Sequence, residues 1–355
     1  MRLLGVDDLR PGDIVAATVF DEDRRVIVRV DTELDENTIR YLSKVDCYEV
    51  PVRFSGFEAM DPYPIIPGAV VPRMVKILAQ MPPVLAVEHL EILLHLLKSI
   101  WLYTWSFSGK PVQLLSPLNP DWAPYLCAIE RTLMLWRMYT DLSVEDQTAL
   151  GLASLLLDAG HYGGYELGAV VDYGANPTQH LRLLGDALGQ IMAFLPRLTR
   201  KVLDQQHAYW DSSGWPMVSH EQIQEQARGL QVASGISYLY RGRGCSVWQS
   251  LQAIAQESGG RYDPAAVGRL ARVLNPFRIG TVVQLSTGQL AVVTDSFVGW
   301  TMRPTVKILG RGGGSSLDLR DAKCRTTWVQ AEWFGRDIPE AIQDGGTNTG
   351  VKEST

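Results

Sequence analysis

The chain has no long hydrophobic run, few cysteines, few histidines and no surplus of basic charge, and each shortage removes a class of protein. Its longest uncharged stretch, Ile279 to Thr294, is broken by glycines and by polar residues at strand spacing, so no membrane-spanning helix is expected. The opening residues MRLLGVDDLRPGD carry charges where a signal peptide needs an apolar core, which points to a cytoplasmic protein. Four cysteines, Cys47, Cys127, Cys245 and Cys324, lie far apart with no C-x-x-C pair. That argues against both a zinc knot and a disulfide framework, and fits a reducing compartment. With 33 Lys and Arg against 39 Asp and Glu, the formal net charge is -6. A general binder of nucleic-acid polymers needs the opposite, a clustered cationic surface. The sequence also has no Gly-x-Ser-x-Gly elbow, no Walker loop, no His-Glu-x-x-His and no Rossmann fingerprint opening a helix after a strand.

What is present is an ordinary globular composition, 46% hydrophobic and 20% charged over 355 residues, enough for two or three compact units. Residues 1–60 read as a small α+β module: a Pro11-Gly12 turn, alternating strands near Ile14 to Phe20 and Val26 to Val30, a helix near Glu36 to Ser43 and a strand near Tyr48 to Val52. Residues 61–124 combine a proline-rich connecting segment, Asp61 to Pro83, with a long helix from Val87 to Trp105. Leu90, Leu93, Leu94, Leu97, Ile100 and Trp101 form its apolar stripe, suited to packing on the next domain or on a second copy as a homodimer. Residues 125–275 carry successive helical patterns, one opened by a capping box at Ser143 and Asp146 and running through Leu150 and Leu155 towards Asp158. Residues 276–335 change to period two, with a Thr287-Gly288 turn between strands. The glycines at 310 and 312–314 read as a hairpin tip, because no Lys-Ser/Thr and helix follow them. Residues 336–355 are polar and Gly/Thr-rich, the composition of a disordered tail. The expected fold class is mainly α, a helical domain with a small N-terminal α+β module and a C-terminal β extension.

Of the six histidines, His89 and His95 stand six apart in one helix and cannot share a face as an i, i+4 metal pair would. The informative segment runs from Gln206 to Pro216, Gln-His-Ala-Tyr-Trp-Asp-Ser-Ser-Gly-Trp-Pro. It resembles the signature loop of HD-GYP domains, His-His-Glu-Arg-Trp-Asp-Gly-Ser-Gly-Tyr-Pro, with Trp210, Asp211, Ser213, Gly214 and Pro216 in register. Leu156-Leu157-Asp158-Ala159-Gly160 resembles the family's Leu-His-Asp-Ile-Gly, and Tyr262-Asp263-Pro264 its late Phe-Asp-Pro. The flanks Leu9-Arg10-Pro11-Gly12-Asp13 and Pro276 to Val283 resemble modules that precede and follow such domains. The expected helical domain is therefore of the HD type.

The resemblance implies bacterial cyclic di-GMP signalling, in which active members hold two or three metal ions on facing helices and activate a water against a phosphodiester. Residue by residue, the ligand set is reduced. The first histidine position falls near Tyr125, the motif histidine is Leu157, and the first signature histidine is Gln206. The late aspartate is Ser234, and the phosphate-contacting lysine is His161. Asp158, His180 and His207 remain, although the spacing of His180 to Gly185 is one residue longer than the family's. Leucine has no donor, and hydroxyl or amide groups bind first-row metals weakly. A degenerate active site is thus expected, with no catalytic residue and no cofactor. The alternative is a single iron, manganese or zinc ion on Asp158, His161, His180 and His207, sustaining residual phosphodiesterase or phosphohydrolase activity. The plain reading of these residues is a helix-capping Asp158 and hydrogen-bonded interior histidines. Trp215 stands where the family has tyrosine and keeps a face for stacking, while Arg241 and Arg243 could meet a phosphate or simply occupy an exposed turn. The expected role is a non-catalytic signalling protein that binds a protein partner or cyclic di-GMP.

Overall fold

In a computed structural model, the described residues are 2–20, 25–45, 47, 49–53, 66, 70–106, 109–115, 122–161, 177–310 and 314–333. The chain divides into two compact units, one made of Met1–Val19, Val26–Tyr63 and Phe277–Thr355, the other of Phe20–Arg25 and Pro64–Pro276. The tail expected over residues 336–355 lies outside the described residues.

At the N-terminal end, β1 (Arg2–Gly5) pairs antiparallel with a later strand, and β2 (Val19–Phe20) pairs with β3 (Val26–Val28). Helix α1 (Glu36–Lys44) starts where the Asp35 carboxylate accepts the Thr38 backbone N–H at 2.7 Å. Strand β4 (Glu49–Val52) is the partner of β1, with Leu4 opposite Val50. Val15, Leu34, Leu42, Val50 and Val52 form the module's apolar centre.

The second unit is helical: α2 (Val71–Ala79), α3 (Val87–Ser106), α4 (Ala123–Met138), α5 (Val144–Leu156), α6 (Pro177–Leu188), α7 (Arg197–Asp204), α8 (Glu225–Ser237), α9 (Val247–Gln256) and α10 (Pro264–Val273). Helix α2 corrects the reading of Asp61 to Pro83 as connecting chain. Val71, Met74, Val75 and Leu78 lie on one buried face at i, i+3, i+4 and i+7, and Pro72 sits in its first turn, where a missing N–H costs nothing. In α3 the residues Leu90, Leu93, Leu97 and Ile100 are buried, whereas Leu94, Leu102 and Trp105 face outward. Helix α4 is the centre. From Leu126 to Met138 every residue is buried, because α5, α8 and α10 all pack on it. Ser143 caps α5 by accepting the Asp146 N–H, and Thr199 ties α7 to α5 through a 2.8 Å hydrogen bond to the Ala149 carbonyl.

After α10 the chain builds a five-stranded antiparallel sheet ordered β8-β7-β6-β5-β9, from β5 (Val282–Leu285), β6 (Leu290–Asp295), β7 (Thr305–Ile308), β8 (Ser316–Asp318) and β9 (Val329–Glu332). The expected β5–β6 hairpin forms with Val283 opposite Ala291, and Gly288 takes the left-handed φ of 83° that its turn requires. The fold is thus mainly helical, with a small α+β module before the helices and a β sheet after them.

Candidate functional site

The site begins where α5 ends. Leu157 and Asp158 follow its last turn and are both buried, and the Asp158 carboxylate receives a hydrogen bond from Nη2 of Arg131, in the middle of α4. The same guanidinium nitrogen donates to the Ser154 carbonyl at 3.2 Å. The two side chains of this ion pair are 1% and 2% exposed. Asp158 is therefore a charge compensated by a cation of the protein itself, and a carboxylate so held is not available as a metal ligand without separating a buried pair.

Three imidazoles come next. His161 closes a short 3-10 turn, Ala159–His161, that lies against α6; a β carbon on Gly160 would stand 2.5 Å from the backbone of Leu183. That close approach brings His161 Nε2 to 3.2 Å from Nδ1 of His180, on α6, with the rings stacked at 5.4 Å. His180 Nε2 lies 3.2 Å from Oε1 of Gln206, and its ring meets His207 edge-on at 5.4 Å. Burial lowers the pKa of His161 and of His180 and holds that of His207 down at about 3, where His180 and Arg261 add to the effect. All three are neutral at pH 7. In the neutral state the chain of contacts has a direction: Gln206 Oε1 can only accept, so His180 Nε2 carries the proton, its Nδ1 accepts, and His161 Nε2 donates.

The segment from Gln206 to Pro216 holds its shape through its own residues. Trp215 N–H donates to the His207 carbonyl at 2.7 Å, and Gly214 lies so close to that strand that a β carbon would fall 1.8 Å from the His207 oxygen. Asp211 accepts from the Ser213 N–H at 3.0 Å and from its hydroxyl at 2.6 Å, which also lowers the Asp211 pKa. Trp210 stacks near His220 at 4.4 Å and under the Arg228 guanidinium at 5.1 Å. The matched residues Trp210, Asp211, Ser213 and Gly214 thus have folding work to do. Trp215 is 60% exposed.

Arg241 and Arg243 separate. They lie on and just after a π-helical turn, Tyr238–Gly242, that continues α8. Arg241 is buried and donates through Nε and Nη2 to both carboxylate oxygens of Glu130, at 2.8 and 2.6 Å, and through Nη2 to the Leu115 carbonyl at 2.9 Å. Arg243 is exposed and donates to the Tyr238 hydroxyl at 2.9 Å. The flexible exposed turn suggested by the flanking glycines is replaced, for Arg241, by a bidentate buried pair.

Four positions from three distant segments of the chain converge. Leu157 after α5, Gln206 and His207 after α7, and Ser234 on α8 line one cavity of about 170 Å³, together with Arg261 and Tyr262. No family model matches the chain. No curated protein matches it either. Among solved structures it is similar to Bd1817, a HDG"Y"P protein from Bdellovibrio bacteriovorus, with 10% identity, a TM-score of 0.42, and coverage of 76% of this chain and 97% of that one. A likeness this loose assigns no residue.

The donor set does not fit a bridged metal cluster. Leu157 has no donor atom, Asp158 is paired with Arg131, and among the described residues no three His, Cys, Asp or Glu side chains are arranged to hold an ion. What the cavity offers is a neutral imidazole, the amides of Gln206 and Gln231, the hydroxyls of Ser234 and three tyrosines, the Arg261 guanidinium and the Glu257 carboxylate, a set that binds by hydrogen bonding. Arg131 was missed in the sequence, although two adjacent charges, Glu130 and Arg131, inside the apolar run Leu126 to Trp136 are a signal: buried charges require partners.

Proposed function

We propose that this chain is a degenerate HD-GYP signalling protein that works by binding and not by phosphodiester hydrolysis. One observation carries the reading: of the positions that the resemblance equates with metal ligands, Leu157, Gln206, His207 and Ser234 meet around a single cavity, whose lining does not include Tyr125, Asp158 or His180, and these four supply one imidazole among them. Sequence positions taken from three separate motifs would have no reason to converge if the resemblance were accidental. Convergence therefore supports the family, and the side chains support the loss of its chemistry. The exposed Trp215 and Met217, at 60% and 77%, favour a protein partner docking at the signature loop, since large apolar side chains on a rigid turn are suited to partner contact.

Incubation of the full chain with cyclic di-GMP and Mn²⁺ or Fe²⁺, followed by chromatography, is expected to show no linear dinucleotide. Turnover that disappears in Asp158→Ala would overturn the reading and restore the residual phosphodiesterase. That second reading rests on the proximity of His161, His180 and His207, three side chains of a kind that bind iron, manganese or zinc.

A further inference from the structure

The cavity carries more than a list of lost ligands. Among the described residues, three of those lining it each hold a buried polar atom that meets no hydrogen-bond partner in the protein: Gln206 Nε2, Ser234 Oγ and Arg261 Nε. Gln206 is 5% exposed, so its amide is well over nine-tenths buried. Two of the three atoms can only donate, and the third is a hydroxyl that can do either. Gln206 Oε1 lies 3.2 Å from His180 Nε2, so the other end of the amide, Nε2, is the one that meets no partner. Arg261 is fixed too. Its Nη2 donates to the Tyr209 hydroxyl at 2.7 Å, and its guanidinium lies 4.3 Å from the Tyr209 ring and 5.5 Å from that of Tyr262. Buried donors left without acceptors are costly, and preorganised ones are what a binding site consists of.

Shape narrows the choice. An apolar cavity of about 150 Å³ takes a benzene ring, and this one, at about 170 Å³, has room for one ring with a substituent. Its lining includes Tyr209, Tyr238, Tyr262 and Leu157, together with the carboxylate-bearing Glu257. Leu157 matters here, since a leucine in place of an imidazole removes a polar group and leaves a surface on which a ring can pack.

We propose that this cavity binds a small planar ring with a hydrogen-bond acceptor edge, the chemistry shared by a pyrimidine base and an aromatic carboxylate. The acceptor edge faces Gln206, Ser234 and Arg261, and the ring lies among the tyrosines and Leu157. This rests on the same cavity as the proposed function but not on the absence of hydrolysis.

The test titrates the full chain with uracil, benzoate and toluene, read by saturation-transfer NMR and calorimetry. The expected result is saturable binding of uracil or benzoate at least tenfold tighter than toluene. Uracil alone would identify a neutral ligand, benzoate alone an anionic one, and either supports the proposal. Ser234→Leu, which fills the cavity, is expected to abolish binding, and the milder Ser234→Ala to weaken it several-fold with the circular dichroism spectrum unchanged. Failure of both acceptor-bearing rings to bind, equal binding of toluene, or binding undiminished in a folded Ser234→Leu variant would overturn it. Hydrolysis of cyclic di-GMP would sink the non-catalytic reading and leave ring binding intact, so the two fail separately.

Discussion

Replacing Arg131 by methionine tests the electrostatic core of the site most directly. The Arg131–Asp158 pair is 1% and 2% exposed, so solvent cannot take over the role of the lost guanidinium. Removing one partner of a buried pair costs about 3–5 kcal/mol, because the remaining charge is left in a medium that cannot solvate it. Arg131 also donates to the Ser154 carbonyl, which adds roughly 1 kcal/mol for a lost hydrogen bond. Methionine fills most of the volume, so cavity formation adds little. Arg131→Met should therefore lose about 4–6 kcal/mol of stability by these terms. Asp158→Leu alone leaves the guanidinium stranded and should cost a similar amount. The double variant Arg131→Met/Asp158→Leu removes both charges and should recover most of either loss, since a buried pair and an apolar pair of similar volume are often equally stable. The assay is urea denaturation at pH 7 followed by circular dichroism at 222 nm, which reports the helical unit, with all four proteins forming a thermodynamic cycle. A cost below about 1 kcal/mol for Arg131→Met, or a double variant no better than the singles, would refute the claim that Asp158 is held by this pair.

Other outcomes follow from the same geometry. Protein purified from cells supplied with iron and manganese should carry less than one metal equivalent by inductively coupled plasma mass spectrometry; two or more would mean that the ligand positions have been misassigned. His207, with an ordinary pKa of 6.5 held down to about 3 by burial, binds a proton in the unfolded chain at pH values where the folded chain does not. Its contribution is thus fully present above pH 6.5 and is lost as the pH falls towards 3, about 2 kcal/mol by pH 5. Denaturation midpoints at pH 7.5 and 5 should show the loss, and His207→Gln should flatten it. Gly214→Ala, whose β carbon would stand 1.8 Å from the His207 oxygen, should destabilise the signature loop by roughly 2–3 kcal/mol and open it to limited proteolysis.

Much of this architecture could be read from local chemistry. The Ser143 cap, the Thr287-Gly288 turn and the helix from Val87 depend on neighbours a few residues away, and each formed where expected. Helix α2 escaped because prolines surround it, though Val71, Met74, Val75 and Leu78 keep a helical period that a count over nine residues would have found. Arg241 misled for the opposite reason. Its flanking glycines suggest an exposed turn, while the Glu130 that buries it is 111 positions away. Arg131 was hidden in part, since its place beside Glu130 in an apolar run signals burial but does not name its partner Asp158, 27 positions on. The signature resemblance pointed to Leu157, Gln206, His207 and Ser234, but Arg261 has no place in that pattern, and only the packing of α8 with the segment before α10 brings it to the same cavity.

The hydrogen-bond line from His161 through His180 to Gln206 has the character of a set of dominoes. None of its members can reverse alone: turning the Gln206 amide over would set its NH₂ against the N–H of His180, which would have to move its proton to the other ring nitrogen, where it would meet the N–H of His161. The amide that Gln206 presents to the cavity is therefore tied to the proton positions on two imidazoles outside its lining. Turning that amide from donor to acceptor is a concerted event, in which the protons of both rings move with it.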